Sequence, residues 1–369
     1  MSDRTRLAVW IPVAVLALAA PLSLAGFWLQ TGLFAMAAAI AAIGLTLLVG
    51  VTGQLSLGHA FFVAVGAYGY AFLAGPRDGD IAGAGLPAPL AAVGAVALAG
   101  AAGALFSPIA GRLRGIYLGL ASLGLVFLGQ HILHNAAAVT GGFNGRDIVP
   151  FELFGFSFTA SDPELIVFHV PYGALERLWY LGLLLVVLAY WYAHNLLRGR
   201  PGRALVGVRD SEVAAAVMGV DVRRYKAAAF TVSSAYAGLA GMLLALAFGR
   251  IVPDSFGFLM SIDFLAMIII GGLGSIAGSA AGAVIVTALP LVLSHYSDAL
   301  PFLAQPGESG VGAAEAARLL YGAAVIAVLL FAPGGLAQLL RPSPPNKERF
   351  HEPTTRGPGG RAVPGADRL

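Results

Sequence analysis

Polar side chains are rare enough in this 369-residue chain that their clusters stand out. Thr52, Gln54, Ser56 and His59 interrupt two apolar runs within eight residues, with Gly50, Gly53 and Gly58 among them. A second group, Gln130, His131, His134 and Asn135, closes a later run. In lipid such groups must find partners. They can bond a neighbouring helix, or line a wet path for a polar solute. A helix-to-helix bond is the plainer account of any one residue, whereas clustering favours a cavity. Thr52, Gln54, Ser56, His59, Gln130 and Asn135 are therefore the candidates for a translocation path. The glycines among them allow close backbone approach or a break in a helix.

Other chemistry is hard to place. The only lysines are Lys226 and Lys347, and neither ends a GxxxxGK[ST] phosphate loop, so ATP hydrolysis is not expected of this chain. No HExxH or GxSxG motif occurs. The absence of cysteine excludes a disulfide framework, a thiolate metal site and a thiol nucleophile. The sequence offers no catalytic residue, metal site or cofactor site, and nothing argues for an enzyme.

One charged island remains, "GRALVGVRDSEVAAAVMGVDVRRYK" at 202–226. Asp210 or Ser211 can cap a helix, Glu212 lies in its first turn, and Gly219 supplies a stop. That predicts about two turns, roughly 12 Å at 1.5 Å per residue. Val213, Val217 and Met218 offer a small apolar contact surface, flanked by Arg209, Arg223 and Arg224. A short rigid helix of this kind suits docking into a groove on a separate motor; the plainer alternative is a topology signal with a chance helix. Glu212 reads as an exposed first-turn acid, worth about 0.3–1 kcal/mol.

The elements that carry these residues are transmembrane helices. Hydrophobic residues make up 58% of the chain and charged residues 11%, and apolar runs near twenty residues recur without period-2 alternation. An all-α polytopic membrane protein is expected, with about ten spans near 7–29, 32–50, 57–74, 88–110, 115–134, 176–197, 226–248, 259–273, 276–297 and 316–340. Of the 22 basic residues, 17 lie before the first span, after the fourth and sixth, and in the tail. Alternating ten spans places all of them on one side with both termini cytoplasmic. The net charge of +3 is explained by this topology without nucleic acid. Residues 1–340 then form one permease-like membrane domain, with a cytoplasmic loop at 198–225, an external loop at 136–175 and a disordered cytoplasmic tail at 341–369. The first span also reads as a signal peptide, with a cleavage site at Ser23-Leu24-Ala25; its length to Trp28 favours retention. Residues 259–273 and 276–297, joined by "GGLGSIAG", include one candidate re-entrant or broken helix. The external loop interleaves Phe151, Phe154, Phe156 and Phe158 with Arg146, Asp147, Glu152, Asp162 and Glu164. It reads as an interfacial segment or a protein-docking surface.

Five stretches in order resemble LivM-type permeases of branched-chain amino acid ABC transporters: "GLTLLVGVTGQLSLGHAFFVAVGAYGYAFL" at 44–73, "TGGFNG" at 140–145, the island with its following span, "MIIIGGLGSIAGSAAGAVIVTALP" at 267–290, and "LLFAPGGL" at 329–336. The resemblance implies a permease subunit of a bacterial inner-membrane importer for branched-chain or related small amino acids or amides. It implies a LivH-like sister permease, two ABC ATPase subunits that carry ATP and magnesium, a substrate-binding protein, and surrounding membrane lipid. It also implies that Arg209, Asp210, Glu212, Val213, Val217, Met218 and Gly219 couple the chain to the motor. Two departures stand out. The spacing from Glu212 to Gly219 is one residue longer than the general coupling-loop pattern, and the acidic and basic residues usual before "TGG" are replaced by Phe127 and Gln130. An ion-coupled secondary transporter is the alternative; it would couple through intramembrane acids, of which Asp263 is the principal one.

Overall fold

The computed structural model describes residues 15–77, 81–113, 115–159, 165–167, 170–297, 312–332 and 334–337. The first fourteen residues, Asp162, Glu164 and the tail from 341 lie outside them. The expected first span does not continue to residue 29: a helix over 15–23 stops at Leu24-Ala25, where the Ala25 backbone is extended, and Trp28 belongs to the next helix. The chain then enters α1 (Gly26–Leu45), which widens into a π-turn at Thr46–Val51. There follow α2 (His59–Ala74), α3 (Ala88–Arg112), α4 (Ile116–Asn135), α5 (Ala174–Arg198), α6 (Arg200–Asp210), α7 (Glu212–Val217), α8 (Val222–Phe248), α9 (Phe258–Gly271), α10 (Ile276–His295) and α11 (Ala313–Phe331).

Seven described helices are long and apolar enough to cross a bilayer: α1 with its π-turn, α3, α4, α5, α8, α10 and α11. The molecule is thus an all-α polytopic membrane protein. α1 and α8 form its centre and are buried along most of their length. Small residues make that possible. A methyl group on Gly66 would lie 2.2 Å from the Gly238 carbonyl oxygen, and one on Gly241 would lie 1.9 Å from that of Val63. α2 and α8 therefore touch backbone to backbone, the contact that stands in for hydrophobic exclusion between helices in lipid.

Two expected spans are short. α9 has 14 residues, about 21 Å at 1.5 Å per residue, against a hydrocarbon core of about 30 Å. Between α8 and α9 the chain is not α-helical: Arg250–Ile251 pairs antiparallel with Arg146–Asp147, and Pro253–Phe256 forms a 3-10 turn. α2 is short because residues 53–58 are unwound before it starts. Buried backbone without helical bonds needs other partners. Hydroxyls from distant helices provide them: Leu57 N–H donates to Ser122 Oγ (2.8 Å), and Ala60 N–H to Ser261 Oγ (3.1 Å).

The last span is shorter than its apolar run predicts. The Ala-Pro-Gly-Gly sequence at 332–335 stops α11 at Phe331 rather than near 340. Gly335, at φ 58°, folds the chain back so that Leu336 N–H donates to the Ile270 carbonyl (3.0 Å).

Candidate coupling and translocation site

The island folds into two helices. α6 was not anticipated; it starts on Pro201 near its N-terminus, buries Leu205 and Val208, and ends at Asp210. The signal was present in the three-residue spacing of those apolar positions, but Gly199, Pro201 and Gly202 read as loop punctuation. Ser211 is the cap of α7: its Oγ accepts from Ala214 N–H (3.2 Å). Asp210 instead pairs with Arg209 (3.1 Å). After α7, Gly219 takes φ 83°, and Val220 N–H reaches back to the Ala215 carbonyl, closing a left-handed cap. Val213, Val217 and Met218 are 74%, 84% and 73% exposed, an apolar crown left uncovered by the described residues.

The island is also wired inward. Arg209 Nη1 donates to the Gly50 carbonyl in the π-turn of α1 (3.1 Å). Its stem lies against Gly53, whose φ of 72° and tight neighbour exclude a side chain. Arg209 is thus committed within the fold, and Arg224 pairs with Asp221 (3.0 Å). Glu212 is bonded to Lys226 Nζ, and that lysine is buried on the first turns of α8. This differs from the exposed acid expected at 212. A carboxylate holding a buried ammonium contributes far more than a dipole contact, because its loss strands a charge.

The first polar cluster splits between this junction and the bundle core. Gln54 Nε2 donates to the Lys226 carbonyl (3.3 Å) and to Thr52 Oγ1 (3.0 Å). Thr52, Gln54, Arg209, Ser211, Glu212 and Lys226 border one cavity of about 300 Å³. Beside it, the start of α8, α7 and the end of α3 enclose about 1130 Å³, walled by Val213, Val217 and Arg112 among others. Gly50 also abuts the α9–α10 turn, where a methyl group would sit 2.4 Å from Gly274 N. Four motif segments therefore meet at one end of the bundle. Ser56 and His59 lie deeper: Ser56 is buried in the unwound stretch, and His59 Nε2 bonds the Ala41 carbonyl (3.0 Å) while its ring packs edge-on against Phe264.

The second cluster stands apart from the first. His134 Nδ1 bonds the Gln130 carbonyl (2.8 Å), and Asn135 Nδ2 donates to the His131 carbonyl (2.8 Å), each one turn back in α4. His134 Nε2 faces Asp254 at 3.2 Å. Gln130 is half-buried beside Gly257, and Asn135 is exposed. At the same end, Arg146 is buried and donates to the Ala82 and Val139 carbonyls (both 2.7 Å). Burial lowers its pKa from the ordinary guanidinium value. Glu152–Leu153 and Phe156–Ser157 form a hairpin through Phe154 and Gly155. Phe154 alone among the described non-glycine residues has positive φ, 51°, and it is fully exposed.

Fold and site define a helical membrane permease. The family described as "Branched-chain amino acid transport system / permease component" matches residues 28–329. The chain is 33% identical over 342 residues to the high-affinity branched-chain amino acid transport system permease protein LivM of Escherichia coli (strain K12), covering 90% of this chain and 75% of the relative. It is 35% identical over 310 residues to LivM of Salmonella typhimurium, covering 81% and 67%. Similarity to LivH of Escherichia coli (strain K12) is 25% over 260 residues, 69% of this chain and 80% of the relative. No solved structure matches the chain. The chain belongs to the branched-chain amino acid transport system permease family.

Proposed function

We propose that this permease subunit of an ABC importer moves branched-chain amino acids or related small amino acids or amides across a bacterial inner membrane, as one half of a heteromeric pore. The partners are a LivH-like sister permease, two ABC ATPases that bind ATP and magnesium, and a substrate-binding protein. Ten spans place both termini and 198–225 on the cytoplasmic side, and 136–175 outside. Residues 1–340 are the permease domain and 341–369 the cytoplasmic tail. One observation carries the coupling role: a capped helix with an exposed apolar crown, tied to α1 through Arg209 and to α8 through Glu212 and Lys226. A groove on the motor takes Val213, Val217 and Met218, and its displacement reaches the two central helices without an intervening flexible joint.

Val217→Asp places a charge in that contact and should cost on the order of several kcal/mol where the contact is dry. In proteoliposomes holding the full complex, both ATPase stimulation and uptake should fall at matched assembly. Normal uptake by Val217→Asp would reduce the island to a topology signal.

A further inference from the structure

A cavity of about 290 Å³, on the order of ten water volumes at roughly 30 Å³ each, lies among α1, α2, α8, α9 and α10. Its walls include Phe34, Val63, Leu244, Met260 and Leu291. Two polar side chains enter it, Asp263 from α9 and Thr287 from α10. The other acids of the described apolar helices, Glu176 and Glu315, sit in first turns, whereas Asp263 is the sixth residue of α9. Asp263 Oδ1 accepts from the Tyr321 hydroxyl of α11. The acid is therefore tolerated inside the bundle before any ligand arrives. Thr287 Oγ1 is buried and has no hydrogen-bond partner. Pro290, on the same wall, has no N–H to donate to the Val286 carbonyl one turn back, and Val286 also lines the cavity.

We infer that this cavity is a transit site for an apolar amino acid, with Asp263, the Thr287 hydroxyl and the Val286 carbonyl receiving its ammonium group and the aliphatic wall receiving its side chain. An ammonium has three donors and no acceptor, and these three groups all accept. An acid in an apolar bundle is costly, and a cationic ligand is what such an acid can serve. The inference rests on the importer reading and deepens it.

The natural chain has no cysteine, so Ala38→Cys, on the cavity wall but not among the three acceptors, gives one reporter thiol on this subunit. Leu291→Cys, on the same cavity, replaces it if that variant does not assemble. In the complete complex under turnover, leucine delivered by the binding protein should slow thiol labelling at least fivefold. 4-Methylpentanoate, the same skeleton without the amino group, should not. Adding Asp263→Asn should abolish the leucine effect. Protection that survives Asp263→Asn overturns the site, as does unchanged labelling in a complex that takes up leucine. Protection by sodium alone would assign the acceptors to an alkali ion. An unsubstituted complex that imports no amino acid would instead sink the importer reading.

Discussion

The two ends of the bundle tie polar groups to different parts of the fold. At the α6–α7 end, bonds join residues far apart in sequence: Arg209 to Gly50, Gln54 to Lys226, and Glu212 to Lys226 across two helices. At the other end, the α4 cluster is bonded largely one turn back along its own helix and the Glu152–Ser157 hairpin closes on itself, while the long-range bonds, such as Arg146 to the Ala82 carbonyl and Arg250 to the Asn144 carbonyl, tie connecting segments to one another and not the central helices. Long-range polar bonds to the central helices oblige those helices to move with the island, while bonds within one helix or between connecting segments brace an end of the bundle. The first arrangement is what the proposed coupling role requires. The second leaves an exposed surface at its end of the bundle.

The largest effect should come from cutting the strongest long-range tie. Glu212→Ala leaves the Lys226 ammonium buried with its partner removed, a loss of roughly 3–5 kcal/mol for a broken buried pair. Thermal unfolding of the purified complex should shift down and ATPase stimulation should collapse. Glu212→Ala combined with Lys226→Met should recover most of the thermal stability, since no charge is then stranded. If Glu212→Ala costs less than about 1 kcal/mol, as an exposed first-turn acid would, the wired junction is wrong.

At the presenting end, one residue separates display from stability. Phe154 holds a positive φ that a bulky side chain disfavours, next to Gly155 at φ 81°, the conformation that Asn-Gly turns adopt readily. Phe154→Asn should therefore stabilise the hairpin by about 1 kcal/mol. It should also weaken binding-protein docking by about 2 kcal/mol if the exposed ring is an anchor. Titrating the binding protein against ATPase stimulation measures the second effect; an unchanged midpoint would leave the ring an interfacial side chain.

How much of this was legible varied with the range of the interaction. Apolar runs located the long helices because burial in lipid demands length and composition, and both are local. The α7 cap, its glycine stop and the apolar crown were legible for the same reason. The Glu212–Lys226 pair was not, because fourteen residues and a helix boundary separate its members. Nor was the partnership of Ser122 with the unwound 53–58 segment or of Ser261 with the first turn of α2, since each serine reads as an ordinary small residue in its own helix. The path cluster looked like one feature at Thr52–His59. The structure divides it, with Thr52 and Gln54 at the junction and His59 held in the core.

That division makes Asn135 the residue whose loss should matter least. Its Nδ2 donates to the His131 carbonyl (2.8 Å) from an exposed position, so water can replace the amide when the side chain is removed. An exposed neutral hydrogen bond contributes at most about 0.5–1.5 kcal/mol, and replacement by water brings the net loss to the low end. Uptake by Asn135→Ala should stay within about twofold of the unsubstituted complex. Gln54→Ala is the matched comparison, because that amide is buried and spans from Thr52 to the first turns of α8. If Asn135→Ala instead abolished uptake while binding-protein docking persisted, polar groups bonded only within their own helix would have to serve the solute directly. The contrast between a transmitting end and a presenting end would then fail at its simplest point.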